Sequence, residues 1–121
     1  MRPILAEDHI HPAIRARIEK HHAGVVDEVR EAIERHDVVV VGMAQNPHPK
    51  RARRALDQRS IAYHYLEYGS YLSMWRPRTA IKMFTGWPTF PMIFVKGTLV
   101  GGANELAALI ESGEIDTLLG A

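Results

Sequence analysis

The sequence predicts an α/β domain in which a mixed four-stranded sheet is flanked by helices on both faces, with an N-terminal helical extension. Three observations carry this reading. Val38 to Val41 is a continuous β-branched run ending at Gly42, the pattern of a strand buried on both faces. Apolar residues on either side of it recur at helical spacing. Met92 to Val100 holds two apolar runs joined by Lys96-Gly97, which suits a hairpin.

In chain order, Ile14, Ile18, Val25, Val26, Val29 and Ile33 predict amphipathic helix from His11 to His36, with Gly24 as a candidate break. After the strand at Val38 to Val41 comes the punctuation of Asn46, Pro47 and Pro49, and then Ala52, Ala55 and Leu56 predict a helix over Lys50 to Arg59. Ile61 to Leu66 alternates as a second strand. Tyr71 to Thr85 reads as a loop followed by a helix carrying Ala80, Ile81 and Phe84, with Pro77 near its start. Met92 to Val95 and Leu99-Val100 are the remaining strands. Gly101-Gly102 then leads into a helix over about Asn104 to Ile110. A βαβ unit followed by a hairpin and a closing helix is the pattern of the thioredoxin fold. Residues 1–22 read as the extension and 23–121 as the domain.

A chain of 121 residues, 46% hydrophobic and 24% charged, suits one compact domain. The formal charge of +1 supplies no global attraction to nucleic acid or to a membrane surface. No apolar run reaches the roughly 20 residues of a membrane span, and the start lacks a signal-type stretch, so a cytoplasmic location is expected. The chain contains no cysteine. This excludes disulfides, thiolate metal sites, cysteine-ligated iron-sulfur clusters and a cysteine nucleophile together.

Trp87-Pro88-Thr89-Phe90-Pro91, then Ile93-Phe94-Val95, Gly97 and Leu99-Val100-Gly101-Gly102, closely resemble the second half of monothiol glutaredoxins. The resemblance covers about Val38 to Leu119. It implies that Pro91 is a cis-proline, that Thr89 and Phe90 line a groove pairing with glutathione, and that Gly101, Gly102, Ala103 and Asn104 receive the glutamyl end of the tripeptide. Arg78 falls where the family carries an arginine for a glutathione carboxylate. Asn46-Pro47-His48-Pro49 aligns with the Cys-Pro-x-Cys motif of dithiol members, so that Asn46 replaces the nucleophile and Pro49 the resolving cysteine. Met43 stands for the upstream lysine, Asn104 for an aspartate, and Met92 for a frequent glutamine. The resemblance therefore implies weak glutathione binding at most, no resident cofactor, and no thiol-disulfide exchange.

Asn46-Pro47 is also a good helix start, since asparagine caps well and proline at the first position loses only an orphaned donor. A thiolate at such a site is stabilised by backbone amides, and Pro47 and Pro49 have none to give. His48 is the one acid-base side chain in the motif, a candidate to orient or deprotonate an incoming thiol or else an exposed loop histidine. His9, His11, His21, His22 and His36 lack the converging partners of a metal site and read as solvated residues. Lys50, Arg51, Arg53, Arg54 and Arg59 make the second helix of the domain basic, either as a solvated face or toward an anionic partner. Trp75, Arg76 and Arg78, with Tyr68 and Tyr71, are expected to flank the groove, or Trp75 to pack the loop onto the core.

The leading expectation is a redox-inactive binding module for a thiol peptide, a small conjugate or a partner's extended segment, with Asn46, His48, Arg78, Thr89 to Pro91 and Gly101 to Asn104 as its site. Alternatives are a thiol-dependent enzyme using Asn46 or His48, and an accessory subunit or homodimer docking through residues 1–22.

Overall fold

The computed structural model describes residues 1–120. Two N-terminal helices, α1 (Pro12–Lys20) and α2 (Ala23–Arg35), precede strand β1 (Val38–Gly42), helix α3 (Pro47–Gln58), strand β2 (His64–Glu67) and helix α4 (Trp75–Thr85). The hairpin strands β3 (Met92–Val95) and β4 (Thr98–Gly101) follow, and helices α5 (Ala103–Ser112) and α6 (Glu114–Leu118) close the fold. The sheet order is β2-β1-β3-β4, with β1 parallel to β2 and antiparallel to β3, and β3 antiparallel to β4.

The continuous valine run is explained by this order. β1 lies between β2 and β3, and all five of its residues are buried. Val39 and Val41 join Met92 and Phe94 under Val29 and Ala32 of α2 and Ile81 of α4. Val38 and Val40 join Ile93 and Val95 beneath Ala52 and Leu56 of α3, Leu106 of α5 and Ile115 of α6. With no solvent-facing side, the strand has no place for alternation.

Several boundaries differ from those expected. The N-terminal helical run breaks at His22, which adopts a left-handed conformation at φ 48°, while Gly24 lies inside α2. His11 caps α1, its Nδ1 accepting from the Ala13 amide at 3.1 Å. α3 starts three residues earlier than its apolar spacing suggests, because Pro47 to Pro49 form its first turn. β2 starts later, because the Ile61 amide closes the end of α3 on the Leu56 carbonyl at 3.0 Å. α6 was not expected; five residues are too few for helical periodicity, although Ile115 is fully buried. α1 buries no residue, and Arg2 reaches the Thr85 carbonyl at 3.4 Å. No helix among the described residues is long and apolar enough to cross a membrane.

Gly42 allows α3 to approach the sheet. A Cβ there would lie 2.7 Å from the Pro49 side chain and 2.9 Å from the Tyr65 hydroxyl. On the other face, Tyr68 donates to a Glu28 carboxylate oxygen, tying the segment after β2 to α2.

Three tyrosines couple this packing to pH. Burial, with Glu28 beside it, raises the Tyr68 pKa well above its ordinary 10.0. Burial and Glu67 push Tyr65 up to about 12, and burial followed by Asp57 raises Tyr63. The unfolded chain ionises first, so the stabilising contribution is complete below about pH 10 and declines as pH rises through the folded values. The urea midpoint should therefore fall between about pH 10 and pH 12, and fall less in Tyr68→Phe. A midpoint that stays flat over this window would contradict the assignment.

Candidate ligand-binding groove

The loop from β1, the turn before β3 and the start of α5 converge at one end of the sheet. Between them lies a groove of about 200 Å³ lined by His48 and Arg51 of α3, Thr89, Phe90 and Pro91, and Gly102 to Glu105. The Phe90–Pro91 peptide is cis. Among the described residues, neither Thr89 nor Phe90 makes a backbone hydrogen bond, so their amide and carbonyl groups have no partner within the fold.

The opposite wall is set by the start of α5. Gly101 has φ +111°, and a Cβ there would lie 2.8 Å from the Glu105 side chain. Only glycine accepts that backbone and that contact together. Its turn brings the Gly102 amide to Glu105, whose Oε1 accepts from it at 2.8 Å. This occupies a donor at the floor of the groove. The first helical bond of α5, from the Leu106 amide to the Gly102 carbonyl at 3.0 Å, follows directly.

Arg51 bridges the two helices. Its Nη2 donates to Asn104 Oδ1 at 2.9 Å and lies 3.2 Å from His48 Nδ1. Since a guanidinium has no lone pair to offer, Nδ1 can only be the acceptor in this contact. With Nδ1 against Arg51, Nε2 is the ring nitrogen of His48 left for a ligand.

Seven of the ten residues expected from the sequence meet here: His48, Thr89, Phe90, Pro91, Gly102, Ala103 and Asn104. Gly101 is buried beneath the groove. Asn46 faces a neighbouring depression of about 330 Å³, shared with Met43, Pro47, Lys50 and Tyr65 among others. Arg78 is buried, and its Nη1 donates to the carbonyls of Tyr68 and Ser73, so it clamps the segment before α4 and does not line the groove. Trp75, Tyr71 and Arg76, expected to flank the groove, are exposed and absent from its walls. Sequence reasoning missed Arg51 and Glu105 as groove residues. Glu105 was within reach of the reading, since it stands at the third helical position after a Gly cap, where a carboxylate returns to the cap amide.

The glutaredoxin family model matches residues 38–100. A glutaredoxin-like protein from Dictyostelium discoideum is 47% identical over 98 residues, covering 81% of this chain and 80% of that protein. The chain belongs to the glutaredoxin family. Among solved structures, oxidized glutaredoxin 2 from Chlamydomonas reinhardtii superposes with a TM-score of 0.70 at 25% identity, covering 82% of this chain and 94% of its own. A mutated buckwheat glutaredoxin gives a TM-score of 0.74 at 19% identity over 84% and 93% of the two chains.

In this glutaredoxin the α3 start carries no thiol and offers little to one. Asn46 caps the helix, its Oδ1 accepting from the His48 amide at 3.0 Å. Pro47 and Pro49 carry no amide proton, so this bond takes the one donor of the first three helical positions. Met43 is buried at 7% exposure and brings no charge.

Asn46→Cys would release the His48 amide and provide a thiol with a single backbone donor. Its pKa should stay near the ordinary value of about 8.5. Asn46→Cys with Pro49→Cys restores a second amide and a resolving thiol, and the thiol at position 46 should then titrate lower. Alkylation rate against pH reads both variants. A single variant titrating at roughly pH 5 would show that the cations of α3 stabilise the thiolate without backbone donors.

Proposed function

We propose that this glutaredoxin is a redox-inactive binding module that holds a thiol peptide, a small conjugate or an extended partner segment along Thr89 to Pro91. The observation that carries this reading is the pairing of an open groove with a self-satisfied helix start. The backbone of Thr89 and Phe90 has no partner within the fold, whereas the amide that would receive a thiolate is taken by Asn46 Oδ1. A catalyst of thiol exchange needs the opposite arrangement, with a nucleophilic sulfur and free amides beside it. With no cysteine in the chain, neither a mixed disulfide nor cysteine ligation of an iron-sulfur cluster is available to it.

The groove suits a short extended ligand. Exposed backbone at Thr89 and Phe90 offers strand-like pairing, and the walls at His48, Arg51 and Asn104 supply polar contacts. Glutathione is the natural probe, by likeness to the family's tripeptide. Its affinity should be low, because Gly102 is already bonded to Glu105, Asn104 is neutral, and Arg78 is occupied elsewhere.

Titration with glutathione, followed by backbone amide shifts, should move Thr89, Phe90 and Asn104 with a millimolar midpoint, about 4 kcal/mol of binding free energy. Gly102→Val should abolish the shifts, since even its Cβ would sit 3.3 Å from Glu105 Oε1 and 3.4 Å from the Pro91 carbonyl. Reduction of a glutathione mixed disulfide should run at the uncatalysed rate. Micromolar affinity, or turnover above that rate, would overturn the reading in favour of a thiol-dependent enzyme.

A further inference from the structure

The first two turns of α3 carry more positive charge than the fold uses. Of its four cations, Arg53 is accounted for: its guanidinium lies 4.0 Å from the centre of the Tyr65 ring. Lys50, Arg51 and Arg54 form no ion pair among the described residues. Arg51 contacts the His48 ring nitrogen and Asn104 Oδ1 and meets no carboxylate. The sole acid on α3, Asp57, lies near the other end and accepts from the Tyr63 hydroxyl. Lys50 and Arg51 also sit at the fourth and fifth positions of the helix, close to the end where its dipole disfavours cations.

These three side chains, with Pro47 and His48, line a surface depression of about 480 Å³ that holds no acidic residue. It shares His48 and Arg51 with the groove, so the two form one continuous surface. The groove's own acid, Glu105, is held on the Gly102 amide.

We propose that this surface docks an acidic peptide segment of a partner protein, with its backbone along Thr89 and Phe90 and its carboxylates on Arg51, Lys50 and Arg54. The proposal rests on the binding-module reading and names the class of ligand. Pro47 to Arg54 spans roughly 11 Å of helix, which an extended chain crosses with about three residues beyond those in the groove. A single small anion would meet only part of that length. A nucleic acid fits less well, because 15 basic residues are balanced by 14 acidic ones over the whole chain, which supplies no long-range attraction to a polyanion.

The test uses the full chain and a blocked Asp-Gly repeat peptide of about ten residues, with Ser-Gly and Lys-Gly peptides of equal length as controls. The Asp-Gly peptide should shift the amides of His48 and of Lys50 to Arg54 together with Thr89 and Phe90, and should bind more weakly as salt is raised from about 0.15 M to about 1 M. Lys50→Glu with Arg54→Glu should lower its affinity roughly tenfold or more. Neither residue lines the groove, and a carboxylate at position 50 favours the helix dipole, so this variant should fold and bind glutathione as before. Equal binding of the Asp-Gly and Ser-Gly peptides would overturn the acidic-segment assignment while leaving the groove reading intact. Tighter binding of a single-stranded oligonucleotide or of inorganic phosphate through the same residues would overturn it as well. Loss of glutathione binding by the unaltered chain would instead count against the groove itself.

Discussion

Helix α3 begins with three positions of which two are proline, and its remaining first-turn amide, on His48, is bonded to the side chain of the residue that caps it. This hydrogen bond decides what the end of the sheet can do. A helix start is an anion site because its amides are free and its dipole points outward. Here the amides are either missing or used, and the positive character of the region comes from side chains instead. Lys50, Arg51 and Arg54 are exposed and present diffuse charge over a surface, which suits a string of carboxylates better than one buried sulfur.

The rest of the fold holds this arrangement in place. β1, buried over its whole length, fixes where α3 starts, and Gly42 lets Pro49 pack on its end. β3 and β4 set the distance from the Phe90–Pro91 turn to α5. Arg51 then spans from α3 to Asn104, so the two helix starts form one wall.

Much of this was legible in the sequence, for identifiable reasons. Val38 to Val41 announced a central strand because burial on both faces leaves a periodicity signature of its own. His48, Thr89 to Pro91 and Gly102 to Asn104 were expected through the family resemblance, whose motifs are short and local in sequence, and they line one groove. Contacts distant in sequence were harder to read. Arg78 was expected, by resemblance, to meet a glutathione carboxylate, whereas the carbonyls of Tyr68 and Ser73 hold it, and the Arg51 to Asn104 bond joins residues 53 positions apart. The break at His22 was hidden for a different reason. Glycine two residues later is the expected site of a left-handed backbone, and nothing in the spacing of isoleucines and valines marks the histidine.

The central claim, that the start of α3 is satisfied from within, is tested most directly by hydrogen exchange at the His48 amide, compared between the native chain and Asn46→Ala. The account predicts that the native amide is protected and that exchange accelerates by at least about tenfold once the Asn46 oxygen is gone, while amides of β1 are unaffected. Equal exchange at His48 in the two proteins would show that the amide is free in solution, and that the site remains open to an anion at the helix start.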